Sequence, residues 1–165
     1  MTDQQPNVGF VAGETFADFY RREHDGQVRR AYLIVGDSAT AHDVVANAFV
    51  AVYQRWNRIE EHGPYLGRCV LNGCRDAGRR HGRERVVAHL GLDGNEAQSA
   101  ADTVAELSDV LGALPFRQRA AIVLRFYGGC SEAEIADHLD CRPGTVGSLI
   151  HRGLRTLRNQ LAPQE

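Results

Sequence analysis

The sequence predicts an all-α protein made of two small helical domains joined by a flexible acidic linker. Apolar residues recur every three or four positions along both halves of the chain, which is the period of a helix with one buried face. No segment alternates β-branched and polar residues between turn-forming pairs, as a half-buried strand does. Between the halves, residues 88–106 carry four acids, no base and two glycines, a composition typical of a linker.

Composition excludes several classes of protein. The chain has 165 residues, of which 43% are hydrophobic and 24% charged, and this is enough to bury a core without disulfides. No stretch approaches the roughly 18 consecutive apolar residues of a membrane-spanning helix. The N-terminal sequence has neither a basic leader nor an apolar run. We therefore expect a cytoplasmic protein whose four cysteines are reduced.

The charge is unevenly distributed. The formal net charge is −2 and the pI is about 6.4, below the basic value usual for a self-sufficient DNA-binding domain. Positive charge is nevertheless concentrated in two places: residues 65–87 carry six arginines against two acids, and residues 142–158 carry four arginines and no acid. Two separate basic faces are therefore expected.

These patterns divide the chain into four segments. Residues 1–13 are expected to form a flexible N-terminal tail, and residues 14–87 a first helical domain. Residues 88–106 are expected to be the acidic linker, and residues 107–163 a second helical domain.

Four helices are predicted in the first half, over 15–24, 27–35, 39–56 and 64–83. Gly36 is a C-terminal stop for the second, and Asp37 or Ser38 caps the third. Pro64 is predicted at the first position of the fourth. The residues predicted to face inward on the first three helices are Phe16, Phe19, Tyr20, Val28, Ala31, Tyr32, Val35, Val44, Val45, Ala48, Phe49, Val52, Tyr53 and Trp56.

The second half is predicted to hold helices over 104–114, 115–127, 131–139 and 144–161. Ser131 and Glu134 have the spacing of a capping box, and Pro143 can open the last helix after a tight turn. This arrangement is typical of a helix-turn-helix, whose second helix enters a major groove. An ordinary helical hairpin with a solvated basic face is the alternative. The residues predicted to be buried on the last helix are Val146, Leu149, Ile150, Leu154, Leu157 and Leu161.

Four motifs of the second half carry a family resemblance. They are Leu-Pro-Phe-Arg-Gln-Arg at 114–119, Val-Leu-Arg-Phe-Tyr at 123–127, Ser-Glu-Ala-Glu-Ile-Ala at 131–136 and Gly-Thr-Val at 144–146. Together they resemble region four, the C-terminal DNA-binding domain, of the extracytoplasmic-function (ECF) sigma factors.

The first half carries an independent set of motifs. They are Tyr-Leu-Ile-Val-Gly-Asp at 32–37, Ala-His-Asp-Val-Val at 41–45, Ala-Phe at 48–49, Tyr-Gln-Arg-Trp at 53–56, and the segment from Tyr65 to Arg80. These resemble region two of the same family, closest to its actinobacterial branch. The two sets occur in the family's order and cover about residues 14–161.

The resemblance implies a promoter-specificity subunit that is not an enzyme and needs no cofactor or metal. Its partners would be core RNA polymerase and promoter DNA, with an anti-sigma factor or auxiliary activator as regulator. No membrane contact is expected, and the free protein would be a monomer. The residues implied to bind core polymerase are Asp37, Asp43, Asn47, Val50 and Gln54.

The resemblance also implies two sets of DNA-binding residues. Region two would recognise the minus-ten element through Tyr65, Arg68, Asn72, Arg75, Asp76, Arg79 and Arg80. Region four would read the minus-thirty-five element through Arg142, Thr145, Ser148, His151, Arg152 and Arg155. For Tyr65, packing in the core and contact with the melted strand are both open.

The chain departs from the family at several positions. Ala46 and Asn47 stand where the family has glutamine and an acidic or polar residue, and Gly147 and Leu149 stand where it has cations. Weaker contacts to core polymerase and to the minus-thirty-five element are therefore expected. The alternative function is a helix-turn-helix regulator, or a polymerase-binding protein that has lost promoter recognition.

Two cysteines and two histidines of the second half are candidates for a site of their own. Cys130, His138, Cys141 and His151 invite a zinc site, but no Cys-x-x-Cys pair is present, so no metal is predicted. A redox switch through Cys130 and Cys141, which flank the first helix of the motif, remains an open alternative.

Overall fold

The computed structural model describes residues 13–81 and 97–162. Their regular elements are helices, which confirms the predicted all-α class. None of these helices is both long and apolar enough to cross a membrane. The α-helices are α1 (Phe16–Val35), α2 (Ser38–Gln54), α3 (His62–His81), α4 (Ala97–Gly112), α5 (Phe116–Ile122), α6 (Glu132–Leu139) and α7 (Pro143–Leu161). A 3₁₀ turn, Trp56–Arg58, precedes α3, and a π-helical turn, Val123–Tyr127, continues α5.

Helix α1 is one continuous helix, so the predicted break between residues 24 and 27 is wrong. It begins at Thr15, whose hydroxyl accepts the Asp18 N–H at 3.2 Å, and it ends at Gly36 as predicted, with φ of 78°. Glycine inside a helix costs about 1 kcal/mol relative to alanine. That cost at Gly26 is offset because one face of α1 is buried on both sides of the glycine, at Phe19 before it and at Gln27, which is 3% exposed, after it.

Helix α2 begins after Asp37, whose carboxylate accepts the Thr40 N–H at 2.8 Å. Its inner stripe is buried as predicted except for Tyr53, which is 52% exposed. Trp56 lies in the core, as predicted, and the His62 ring stacks on it at 3.6 Å between centroids. Because His62 is fixed there, α3 begins two residues earlier than predicted.

Helices α2 and α3 approach closely at Gly73. A Cβ at this position would lie 2.7 Å from Cγ1 of Val44, which is closer than two carbon atoms can come without a shift. The absence of a side chain at Gly73 therefore sets the spacing of the two helices.

Helix α4 begins at Ala97, seven residues before its predicted start, so residues 97–106 of the predicted flexible linker are helical. Alanines at 97, 100 and 101 favour a helix. Leu111 is 2% exposed and Ser108 5% exposed, and α4 lies along α1. The rest of the predicted linker, residues 88–96, lies outside the described residues.

The helix-turn-helix has its predicted local structure. The Glu134 N–H donates to Ser131 Oγ at 3.2 Å and the Ser131 N–H donates to a Glu134 carboxylate oxygen at 2.7 Å, which confirms the capping box. Gly153 of α7 is buried against α5, where a Cβ would lie 2.5 Å from Cδ1 of Ile122.

Two residues that were predicted to face inward are exposed. Leu161, in the last turn of α7, is 68% exposed, so its predicted burial is wrong. Tyr20 of α1 is 40% exposed, so its predicted inward position is also wrong.

The two halves pack against each other. Helix α1 contacts α4, α5 and the π-helical turn, while α3 contacts α5 and α6. Across this boundary Nη1 of Arg119 donates to the Ile34 carbonyl at 2.6 Å. The described residues therefore share one continuous core.

We expect Gly73→Ala to lower the free energy of unfolding by about 1–2 kcal/mol, because overpacking against the stiff Val44 side chain costs more than the helix propensity of alanine returns. Urea-induced unfolding followed by circular dichroism measures the change. Gly78→Ala on the same helix is the control, since its Cβ would meet nothing closer than Phe116 at 4.0 Å, and it should be stabilising. Equal shifts in both variants would refute the close approach.

Candidate nucleic-acid interface

Helix α3 presents one polar face to solvent. Its opposite side is buried at Leu66, Val70 and Ala77, and the α-helical period then directs every third or fourth residue outward. All the predicted minus-ten residues except Tyr65 lie on the outer face. Arg68, Asn72, Asp76, Arg79 and Arg80 are exposed and Arg75 is half-buried.

A cavity of about 350 Å³ lies beside the N-terminal turns of α3. Nη1 of Arg55 donates to Oη of Tyr65 at 2.6 Å, which fixes the tyrosine ring at the cavity wall. Tyr65 is half-buried and packs against the core, which agrees with the packing alternative. Contact of Tyr65 with the melted strand stays a prediction. The lining residues are Arg55, Arg58, Ile59, Glu60, Glu61, Pro64, Tyr65 and Arg68.

The cavity has the chemistry to hold an unstacked base. Aromatic rings and guanidinium groups are the usual stacking and hydrogen-bonding partners of single-stranded nucleic acid. Sequence reasoning missed Arg55, because its hydrogen-bond partner lies ten residues away on another element. Only the family motif around 53–56 drew attention to that stretch.

Helix α2 presents a second outward face. Four of the five predicted polymerase-binding residues lie on it at helical spacing and are exposed: Asp43, Asn47, Val50 and Gln54. Val50 is 54% exposed and Tyr53 beside it 52%, so apolar area is open to solvent, which is characteristic of a protein-docking surface. Asp37 lies before the helix, where its carboxylate caps the first turn. The helical period predicts Tyr53 in the core, so the sequence does not indicate this exposed ring.

Helix α7 presents the third face. Thr145, Ser148, His151, Arg152 and Arg155 are exposed, as is Arg142 at the N-cap. The buried side at Val146 and Gly153 fixes the rotation of the helix. Ser148 Oγ donates to the Gly144 carbonyl at 3.3 Å, so its lone pairs are left to accept a hydrogen bond. Gly147 has nothing within 4 Å of its Cβ position.

The cysteine and histidine alternatives find little support. Within residues 13–81 and 97–162, no three histidine, cysteine or acidic side chains are grouped to hold a metal. Cys130 and Cys141 are both half-buried and do not form a disulfide with each other, and burial raises the pKa of the Cys130 thiol. A redox role for this pair stays a hypothesis. Burial raises the pKa of Cys74 to about 12, so that thiol is inert.

Two models of known protein families match the sequence of this chain. Sigma-70 region 2 matches residues 19–84, and Sigma-70 region 4 matches residues 105–157. The α2 and α3 faces fall within the first match and the α7 face within the second.

Relatives extend over nearly the whole chain. The RNA polymerase sigma-E factor of Streptomyces coelicolor is 31% identical over 156 residues, covering 91% of this chain and 88% of that protein. The ECF RNA polymerase sigma factor SigL of Mycobacterium tuberculosis is 31% identical over 140 residues, covering 79% of each.

Two solved structures share the fold. CnrH in complex with the cytosolic domain of CnrY has a TM-score of 0.70 at 24% identity, covering 88% of this chain and 86% of that one. RpoE in complex with the anti-sigma factor NepR, from Bartonella quintana, has a TM-score of 0.66 at 21% identity, covering 90% and 99%.

Proposed function

Because this chain belongs to the extracytoplasmic-function RNA polymerase sigma factors, we propose that its three exposed helix faces bind core polymerase and the two promoter elements. The protein is a promoter-specificity subunit that directs transcription initiation and is not an enzyme. The assignment of the α2, α3 and α7 faces to these three partners is supported by where the faces lie in the structure and in the sequence. Each is exposed on a helix whose other side is buried, and each falls within the matching sigma region.

The α2 face is proposed to dock on core polymerase. Val50 and Tyr53 supply apolar area, and Asp43, Asn47 and Gln54 supply a polar rim. A buried apolar centre within a polar rim is the usual anatomy of a protein interface. The absence of the family's glutamine at Ala46 makes Val50 and Tyr53 the main anchors.

The α3 face is proposed to bind the minus-ten element. In this proposal the exposed Arg79 and Arg80 would contact phosphates, and the exposed Asn72 would approach a base edge. The cavity between Arg55 and Tyr65 is proposed to take one unstacked base, since melting exposes bases that an aromatic ring and guanidinium groups can hold.

The α7 face is proposed to read the minus-thirty-five element. Thr145 and Ser148, near the N-terminus of the helix, would approach base edges, and Arg152 and Arg155 would contact phosphates one turn further along. Arg142 and His151 lie at the margins of this face. No acid lies on α7, so no like-charge repulsion opposes the DNA backbone.

We further propose domain boundaries at 14–87 and 107–163, with α4 connecting the acidic segment to the second domain.

Core polymerase works in the cytoplasm, so the protein is proposed to act there, and to be a monomer when it is free. An anti-sigma factor is a proposed regulator, since relatives of the same fold form such complexes. The match to region two disfavours the alternative of a simple helix-turn-helix regulator, which would not need that domain.

Val50→Glu should weaken binding to core polymerase about tenfold or more, because a charge would replace an apolar anchor at the centre of the α2 face. Fluorescence anisotropy of the labelled full-length protein titrated with core polymerase measures the affinity. Ala133→Glu, at another exposed position, on α6, is the matched control. If both variants bind as the wild type does, α2 is not the docking face.

Arg79→Ala should reduce promoter opening roughly tenfold while leaving core binding unchanged, since a phosphate contact on the α3 face is lost. Permanganate reactivity of melted thymines reports opening, and the anisotropy titration reports core binding. Arg21→Ala removes an exposed arginine elsewhere and should alter neither. Unchanged opening after replacement of both Arg79 and Arg80 would contradict the assignment.

Gly147→Lys should raise affinity for the minus-thirty-five element severalfold. Lysine favours a helix more than glycine does by nearly 1 kcal/mol, the position is open, and a cation there adds a phosphate contact. Holoenzymes are compared on promoters with and without the upstream element. Gln160→Lys adds the same charge at the far end of α7 and is expected to have no effect. A weaker response from the Gly147 variant would mean that α7 docks in another orientation.

A further inference from the structure

Two contacts cross the loop that joins α2 to α3. On the inside, the His62 ring stacks on Trp56 at 3.6 Å between centroids, and Nε2 of His62 donates to the Trp56 carbonyl at 2.9 Å. On the outside, Nη1 of Arg55 donates to Oη of Tyr65 at 2.6 Å. Because Arg55 and Trp56 are adjacent, the two contacts begin side by side at the end of α2.

The inner contact closes the loop by itself. Trp56 and His62 are 4% and 5% exposed, and both rings pack edge-on against Phe19, at 5.3 and 5.8 Å between centroids. The outer hydrogen bond is exposed, and such a bond adds little to stability because water competes for both partners. The fold of the loop therefore does not require the bond from Arg55.

Arg55 donates to a phenol although two carboxylates line the same cavity. Glu60 and Glu61 lie on the loop, and a carboxylate is a stronger partner for a guanidinium group than a neutral hydroxyl group is. Within residues 13–81 and 97–162, neither acid forms an ion pair with Arg55. The C-cap position of Arg55 on α2 directs its side chain to Tyr65 instead.

The bond fixes the free end of the tyrosine side chain. Tyr65 packs against the core near the start of α3, and Arg55 holds its hydroxyl group. A ring that is held at both ends keeps one orientation at the cavity wall. Stacking a base on such a ring costs less side-chain entropy than stacking a base on a ring that must first be ordered.

We propose that Arg55 is a positioning residue for base capture, which acts by holding Tyr65 in place through this hydrogen bond before DNA binds. The inference deepens the proposed function of the cavity and rests on it. Arg55 has further N–H groups that can reach a phosphate. A test therefore has to separate an effect on the base from an effect on the DNA backbone.

The bond is first tested in the free full-length protein by fluorine NMR after labelling with fluorinated tyrosine. The Tyr65 signal is identified by its absence in Tyr65→Phe. Arg55→Gln should shift that signal, because glutamine is too short to reach Oη. Arg58→Gln removes another arginine from the cavity wall and is the matched control, in which the signal should shift much less. An unmoved Tyr65 signal in Arg55→Gln would overturn the proposal without any DNA.

The second test uses holoenzyme and promoter duplexes whose minus-ten segment is unpaired on one strand. In a matched series, each duplex has an abasic sugar at one unpaired position, which removes the base and keeps the phosphates. Wild-type holoenzyme should bind about tenfold more weakly when the captured base is missing, since stacking on an aromatic side chain contributes about that much. That position identifies the base that the cavity holds.

On the intact duplex, Arg55→Gln and Tyr65→Phe should each weaken binding about three- to tenfold, the effect of one hydrogen bond. On the duplex that lacks the captured base, both variants should bind as the wild type does. The double variant should be no weaker than either single variant, because both changes remove the same bond. Arg55→Lys keeps a donor and should recover most of the affinity, whereas the effect of Arg58→Gln should add to that of Tyr65→Phe.

Two results would overturn the positioning role. The first is an Arg55→Gln variant that loses the same factor on every abasic duplex, which would show a phosphate contact, and the second is an additive loss in the double variant. Circular dichroism checks the fold of each protein. If Arg55→Gln does not fold, Tyr65→Phe and Arg55→Lys still decide the question, because the first removes the same bond from the other side and the second keeps it.

Failure of the proposed function gives a different result. If no abasic position weakens binding of the wild type, the cavity holds no base, and the positioning role fails with it. If one abasic position weakens the wild type but Arg55→Gln and Tyr65→Phe bind the intact duplex as tightly as the wild type does, the cavity holds a base and Arg55 does not position it.

Discussion

Burial of helix α1 among elements of both halves is the constraint on which the rest of the structure depends. Phe19 and Ala31 are buried in it, and the helix contacts α2 and α3 of the first half and α4 and the π-helical turn of the second. Even a polar residue, Gln27, is enclosed, and it remains hydrogen-bonded to Glu23 and Arg30. Because α1 is shared, the outward faces of the helices around it are fixed relative to one another.

The three exposed faces follow from how the other sides of their helices are used. At Gly73 and at Gly153 the side chain of a neighbouring helix, Val44 or Ile122, packs directly on the glycine backbone, and this sets the rotation of α3 and of α7. The opposite sides of those helices then carry the arginines. A chain with a net charge of −2 can in this way present local positive faces, and in a complex with polymerase most of the nonspecific affinity for DNA need not come from the sigma factor itself.

The sequence by itself determined the local features. The Gly36 stop, the Asp37 cap and the capping box of Ser131 and Glu134 each depend on atoms within a few residues of one another, so short-range patterns predict them. The polar face of α3 was likewise readable from its period. Family motifs added the assignment of the two regions.

Only the tertiary structure decided the features that join distant residues. The continuity of α1 through Gly26, the early start of α4 and the exposure of Tyr53 depend on which neighbour covers each surface. The hydrogen bond from Arg119 to Ile34 spans 85 positions, and the Arg55–Tyr65 bond joins two elements across a loop. Periodicity reports which side of a helix is apolar, but it does not report how many neighbours bury that helix or where a long side chain from another element ends.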